Sequence, residues 1–147
     1  MLLADVNLYL YARRRESQDH ERYRAWLEER LSGPEPFGVS ELVLSAFVRI
    51  VTNHRVYREP TSPEAALDFC DIVLSAPATV RLRPGPRHWS IFASLCHAVR
   101  ARANAVPDAY LAALAIEHGA TLVSMDRALA RFPGLRVQHP LDTPAPT

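Results

Sequence analysis

Short apolar runs alternate with segments of helical periodicity along almost the whole of this 147-residue chain. Strands that are apolar throughout, without alternating polar residues, are typical of parallel sheets covered on both faces. Helices that alternate with such strands supply the cover. The sequence therefore predicts an α/β fold with a central parallel sheet of about five short strands flanked by helices. The strands are expected in the runs 2–6, 36–39, 79–83, 120–125 and 134–139.

The intervening segments carry the spacing and the end signals of helices. Ser62 followed by Pro63 predicts an N-cap and a first helical residue, and Ser40 predicts another N-cap. Pro107 is expected at the first position of a later helix. The predicted helices begin near Asn7 and otherwise cover 20–31, 40–53, 62–76, 87–103 and 107–119.

Composition and length set further limits. A chain that is 48% hydrophobic can bury a core, so one domain is expected over residues 1–140, with a proline-rich tail over 141–147. A net charge of +1 gives no global field that would indicate a partner. No signal peptide or membrane-spanning run is recognised, so we expect a cytoplasmic protein without a membrane partner.

Four carboxylates are predicted to lie at one edge of the sheet. Asp5 and Asp126 directly follow predicted strands, and Glu41 opens the helix after another strand. Asp108 opens the helix that leads back into the strand before Asp126, so its helix must start at the same edge. In parallel sheets this edge, at the carboxyl ends of the strands, holds the functional crevice.

Carboxylates that converge repel one another, and a hard divalent cation such as Mg²⁺ or Mn²⁺ is the usual compensation. Asn7 and Ser124 are expected to support such a site as neutral groups. Each residue also has a structural reading. Asp5 fits a helix N-cap, Glu41 and Asp108 fit acids that complement a helix dipole, and Asn7 and Ser124 fit ordinary turns or caps.

Several other kinds of site are absent from the sequence. The six histidines are dispersed, Cys70 and Cys96 form no metal spacing, and no phosphate-binding glycine loop or nucleophilic G-x-S-x-G element occurs. All 17 basic residues are arginine, which excludes a response-regulator receiver, because receivers need a lysine. Haloacid-dehalogenase-type phosphatases use D-x-D, whereas this chain has D-x-N from Asp5 to Asn7.

Three segments, LLADVNLYLYA, VSELVLSAFVRIVTN and VPDAYLAALAIEHGATLVSMDRALARF, resemble PIN-domain ribonucleases of the VapC toxin type. The resemblance covers the chain apart from its tail. It implies a five-stranded parallel sheet, Mg²⁺- or Mn²⁺-dependent cleavage of RNA (tRNA and rRNA being candidate substrates), inhibition by a VapB-type antitoxin, and a homodimer. It further implies that Asp5 and Asp108 bind metal, that Asp126 completes the acidic pocket, and that Asn7 and Ser124 support it.

The sequence departs from the family pattern at one place. Ala46 stands where the family commonly carries a glutamate, and Glu41, five residues earlier, is expected to substitute only in part. The alternative hypothesis is therefore a catalytically weakened PIN-like module that binds RNA or antitoxin without cleaving.

Arginines and apolar helix faces are the candidate binding elements. Arginine forks suit phosphates, and the candidates for RNA binding are Arg13, Arg14, Arg49 and Arg127. Tyr23, Trp26, Leu27, Phe47 and Val51 are candidates for apolar grooves that receive the antitoxin or a second copy, with burial in the core as the alternative.

Overall fold

A computed structural model describes residues 1–142, which form a five-stranded parallel sheet flanked by helices, as predicted. The sheet order is β3-β2-β1-β4-β5, and every neighbouring pair is parallel. β1 is central because β2 and β4 pair with it on either side. The strands are β1 (Leu2–Ala4), β2 (Phe37–Val39), β3 (Thr79–Arg81), β4 (Thr121–Val123) and β5 (Val137–Gln138).

Residues 1–142 also contain six α-helices and two short 3₁₀ helices, the second of which follows the last strand. The α-helices are α1 (Val6–Arg13), α2 (His20–Ser32), α3 (Glu41–Val51), α4 (Pro63–Ser75), α5 (His88–Val99) and α6 (Ala105–Glu117). The 3₁₀ helices cover Arg127–Arg131 and Pro140–Asp142. Helix α1 packs against α2 and α3, and α5 pairs with α6.

The helix starts agree with the sequence in part. Ser62 caps α4 as predicted, since its Oγ accepts a hydrogen bond of 3.1 Å from the amide of Ala65. Ser40 occupies the N-cap position of α3 but makes no side-chain capping bond. The prediction that Pro107 is the first residue of α6 is wrong, because the helix begins at Ala105. Both residues before Pro107 are therefore already helical.

The hydrophobic core lies on both faces of the central strands. Leu3, Ala4, Leu122 and Val123 of β1 and β4 are fully buried, whereas Val80 on the edge strand β3 is 40% exposed. Helix α6 is buried on more than one side, and its small side chains allow close approach to its neighbours. Its buried residues are Ala109, Leu111, Ala112, Ala113, Leu114 and Ala115.

The candidate groove residues lie in this core. Tyr23, Trp26, Leu27, Phe47 and Val51 are all buried, so the core alternative is correct for them. Exposed large apolar side chains instead include Leu67 and Ile72 on α4.

The end of the described chain packs onto the rest of the fold. Pro140 is buried in the second 3₁₀ helix, which packs on α2 and includes the first two residues of the predicted tail. The rest of that tail, residues 143–147, lies outside the described residues. Within residues 1–142 no helix has the length and apolar character needed to cross a bilayer.

Candidate active site

Asp5 follows the central strand directly and is fixed by two hydrogen bonds. Its Oδ1 accepts from the amide of Val6 at 2.7 Å, which caps α1, and its Oδ2 accepts from Ser124 Oγ at 2.8 Å. Burial raises the pKa of Asp5; these hydrogen bonds oppose the increase, and the charge of Asp126 adds to it. The N-cap interpretation of Asp5 is correct. The same position buries the carboxylate, and burial disfavours its charged form.

Ser124 links Asp5 to Asp126. Its side chain is 1% exposed, and besides donating to Asp5 it accepts a 3.0 Å hydrogen bond from the amide of Asp126. Asp126 in turn caps the 3₁₀ helix Arg127–Arg131, because its Oδ1 accepts from Ala128 N at 2.9 Å. One buried hydroxyl therefore fixes the relative positions of two acids from β1 and from the segment after β4.

Asp108 reaches the same edge from the first turn of α6. Burial raises its pKa, repulsion from Asp5 raises it further, Arg131 lowers it, and Asp126 adds a smaller increase. The Asp108 side chain remains 37% exposed. The structure thus brings Asp5, Asp108 and Asp126 together as a mutually repelling group, and no two of them are adjacent in sequence.

A cleft of about 400 Å³ opens beside Asp5 and Asp108. Asn7 lines the cleft next to these acids, and Arg49 reaches it from α3. Ala46 also lines it, so the position where the family pattern has a glutamate faces the acids without adding a charge. The remaining lining is mostly apolar, from Val6, Leu42, Val43, Ile50, Pro107 and Leu111, with Asn104.

Glu41 does not join this group, so its predicted convergence with the other three acids is wrong. It lies at the predicted edge, but one carboxylate oxygen pairs with Arg81 at 2.9 Å and with Arg83 at 3.3 Å. Hydrogen bonds and charge from Arg83, and then from Arg81, lower the pKa of Glu41. The edge strand β3 places these arginines beside the start of α3, and Glu41 lines a groove between α3 and α4.

The four candidate RNA-binding arginines occupy different places. Arg49 alone among them lines the cleft. Arg14 pairs with Glu16, hydrogen-bonds Thr61 and lies over the ring of Tyr57. Arg13 lines a groove between α1, α2 and α4 at the far end of α1 from Asp5.

Arg127 also turns away from the cleft. Its Nη2 pairs with Asp142 at 2.7 Å. A different arginine, Arg131, lies 3.8 Å from Asp108 and was not among the sequence candidates. Arg131 ends the 3₁₀ helix that Asp126 caps, and the turn of that helix brings it back towards the site.

The donor set fits a hard cation that keeps part of its water. Within residues 1–142 no group of three or more His, Cys, Asp or Glu side chains forms a ready metal cage. Mg²⁺ is usually held by one or two carboxylates, with water and substrate phosphates completing its coordination. Asp5 and Asp108 supply two such oxygen donors, and burial raises the pKa values of both, although Arg131 offsets part of the charge of Asp108.

Comparison with known proteins identifies the family of this chain. Residues 2–135 match the PIN domain family. Ribonuclease VapC43 from Mycobacterium tuberculosis is 49% identical over 142 residues, which cover 97% of both chains. Ribonuclease VapC25 from the same organism is 37% identical over 95% of this chain and 99% of the relative.

Solved structures show the same fold at low sequence identity. VapBC2 from Rickettsia felis, bound to a DNA fragment from its promoter, matches with a TM-score of 0.69 and 20% identity over 94% of this chain and 97% of that chain. VapC20 from Mycobacterium tuberculosis, described as a sarcin-ricin loop cleaving toxin, matches with a TM-score of 0.63 and 16% identity over 92% and 99%. The family match over residues 2–135 and the sequence relatives show that the chain belongs to the PIN-domain family, among the VapC ribonucleases.

Proposed function

We propose that the chain is an endoribonuclease toxin that holds Mg²⁺ or Mn²⁺ between Asp5 and Asp108 and hydrolyses phosphodiester bonds in RNA. The observation that carries this proposal is the pair of carboxylates in one cleft whose pKa values are raised by burial and by a neighbouring carboxylate, Asp126 at Asp5 and Asp5 at Asp108. A divalent cation relieves that repulsion and favours the charged form of both carboxylates.

The metal, when bound, supplies an activated water and stabilises charge on the phosphate and the leaving oxygen. The protein's own residues prepare the site. Val6 N–H and Ser124 Oγ hold both oxygens of Asp5, so the carboxylate needs little reorganisation when a ligand arrives. Asp126 adds negative charge at the same place, and Asn7 offers a neutral amide to the cleft.

The decisive experiment is cleavage of labelled tRNA and rRNA fragments by the purified protein in Mg²⁺, in Mn²⁺ and in EDTA. Asp108→Asn tests the site, and Glu41→Gln is the matched control, since Glu41 lies at the same edge but outside the acidic group. We expect cutting by the wild type and by Glu41→Gln in metal only, with none by Asp108→Asn. Attack by water that breaks the bond between phosphorus and the 3′-oxygen gives products with 5′-phosphate and 3′-hydroxyl ends, which mass spectrometry distinguishes from the cyclic phosphates of metal-independent ribonucleases.

Ala46 favours a second candidate function, a PIN-like module that binds RNA or antitoxin without cleaving it. The cleft has an alanine where the family pattern adds a carboxylate, and Glu41 is paired with two arginines elsewhere. Binding of RNA by the folded wild type without metal-dependent cleavage would support this module and contradict the nuclease proposal.

We further propose that a VapB-type antitoxin inhibits the protein in the cytoplasm and that the toxin forms a homodimer. Matching structures are of VapBC complexes, and an acidic cleft is a fitting target for an arginine of a partner. Leu67 and Ile72, 52% and 65% exposed on α4, border grooves of the kind that receive an amphipathic helix.

Copurification tests the antitoxin proposal. The toxin and the antitoxin encoded beside it should elute together from a sizing column, and cleavage should fall when antitoxin is added. Separate elution of the two folded proteins would contradict it. Light scattering on the same column measures whether the toxin alone has the mass of a dimer.

A further inference from the structure

Arg131 is held beside the acidic group by contacts on two sides. Its Nη1 donates a 2.8 Å hydrogen bond to the carbonyl of Ala128, and its guanidinium lies 4.6 Å from the ring centre of Phe132. Phe132 is 1% exposed, so the guanidinium rests on a fixed surface. These contacts aim Nη2 towards Asp108 Oδ2, which is 3.8 Å away.

The contact with Asp108 is too long for a hydrogen bond and is open to solvent on both sides. The side chains of Arg131 and Asp108 are 38% and 37% exposed. Ion pairs of this kind contribute little to stability. Of the five N–H donors of the guanidinium, residues 1–142 engage one in a side-chain hydrogen bond, to Ala128. A well-held arginine with unused donors at the rim of the site is suited to a ligand.

The charge of the cleft identifies the class of ligand. With Asp5, Asp108 and Asp126 ionised, one divalent cation leaves this group net negative, and such a group repels a polyanion. Additional positive charge is needed where an RNA strand enters. Arg49 comes from the helix after β2, and Arg131 follows β4, so the two arginines approach from strands on either side of β1.

We propose, on the basis of the proposed ribonuclease function, that Arg131 binds a backbone phosphate of the RNA strand beside Asp108. The planar fork of arginine matches two phosphate oxygens. When Asp108 is committed to a cation, its attraction for Arg131 weakens, and the phosphate replaces the carboxylate as the partner of the guanidinium.

The 3₁₀ helix supplies a matched control. Arg127 begins the same helix and carries the same charge, but it pairs with Asp142, away from the cleft. Binding of a short fluorescent single-stranded RNA of mixed sequence is measured by anisotropy in Mg²⁺ over a series of salt concentrations. The proteins are Arg131→Gln, Arg131→Lys and Arg127→Gln, with the wild type as the parent. The RNA carries phosphorothioate linkages, which resist hydrolysis while keeping the negative charge of each linkage, so that bound RNA is not cut and Asp5 stays intact.

Arg131→Gln should bind RNA about tenfold more weakly than the parent. The slope of log affinity against log salt should become less steep by about 0.7, the value for one lost phosphate contact on a single strand. Arg131→Lys should keep the slope with intermediate affinity, and Arg127→Gln should match the parent. The salt slope reports charge contacts with RNA, and a merely structural role of Arg131 would leave it unchanged.

Three results would overturn the assignment. The first is an unchanged salt slope of RNA binding in Arg131→Gln, combined with tighter Mn²⁺ binding by Arg131→Gln than by the wild type. Arg131 would then only neutralise Asp108. The second is an equal change in Arg127→Gln, which would reduce the effect to general surface charge. The third is an unchanged RNA affinity in Arg131→Gln. Failure of the wild type to cleave or bind any RNA would instead remove the proposed function itself.

Discussion

Two acidic sites at the same edge of the sheet have opposite electrostatics. In the cleft, burial raises the pKa values of Asp5 and Asp108, and a neighbouring carboxylate raises each further, Asp126 at Asp5 and Asp5 at Asp108. At the start of α3, Glu41 is paired with Arg81 and Arg83, and its pKa is lowered. At the first site Arg131 offsets the charge of Asp108 only in part, so the site gains from a cation, whereas the second site already has two paired arginines.

The neighbouring strand explains the difference. Glu41 follows β2, whose outer neighbour β3 ends in an arginine and is followed by another close by. Asp5 follows the central strand, where its neighbours are β4, Ser124 and other acids. Position in the sheet order therefore decides whether a carboxylate at this edge is neutralised by the protein or left for a ligand.

Metal binding should separate the two sites most strongly. Asp5→Asn and Asp108→Asn each remove a proposed ligand, so Mn²⁺ affinity should fall by more than the roughly 10–100-fold typical of losing a supporting residue. Asparagine is also a good N-cap, so Asp5→Asn should keep α1 intact. Calorimetric titration measures this effect, with Glu41→Gln as the control. Equal Mn²⁺ affinity in Asp5→Asn, Asp108→Asn and Glu41→Gln would contradict the difference between the two acidic sites.

Ser124→Ala should weaken the cleft site next most strongly. It removes the hydrogen bond to Asp5 Oδ2 and the acceptor for the amide of Asp126, so RNA cleavage should fall roughly 10–100-fold. Steady-state kinetics measure this loss of cleavage. Ser45→Ala is the control, because Ser45 is an exposed serine of α3. Full activity in Ser124→Ala would show that Asp5 needs no support.

The pH dependence of stability should run in opposite directions at the two sites. In metal-free protein the raised pKa values of Asp5 and Asp108 mean that the folded state holds these protons more tightly than the unfolded state. Their contribution is therefore present at low pH and is lost as the pH rises from about 4 through the raised pKa values. For Glu41 the sign is reversed, because its lowered pKa gives a contribution that is lost on acidification.

Denaturant unfolding of the metal-free protein at pH values from about 3 to about 8 measures these contributions. The loss assigned to Asp5 and Asp108 should begin at about pH 4. Asp108→Asn should be more stable than the wild type at neutral pH and should lose less stability as the pH rises. Saturating Mn²⁺, at about 100 times its Kd, should stabilise the wild type by about 2.7 kcal/mol. Lower stability of Asp108→Asn at neutral pH would contradict the repulsion.

The smallest effect is expected at Glu41 itself. Arg83→Gln removes the first of its two partners, so the pKa of Glu41 should rise towards its usual value while Arg81 still holds it partly down. A carboxyl titration followed by NMR measures this change, with the cleavage rate as a second reading that should not move. A clear change in the cleavage rate of Arg83→Gln would contradict this expectation and would show that the two sites are coupled.

The sequence predicted these sites unequally. Position directly after a strand was enough to bring Asp5 and Asp126 to one edge, because parallel strands end together. The same reasoning placed Glu41 at that edge but could not show that Arg81 and Arg83 reach it from the next strand. Arg131 was missed for the same reason, since its position depends on the turn of a 3₁₀ helix and on the packing of Phe132.

By itself, the sequence determined the elements, the parallel sheet and the edge at which the acids lie, because apolar periodicity and strand ends are local signals that directly limit backbone geometry. Only the tertiary structure decided which charged groups meet. Arg131 approaches Asp108, Arg127 turns to Asp142, and Glu41 takes two arginines. Long side chains choose partners by distances of a few ångströms between segments far apart in the chain, and the order of the strands sets those distances.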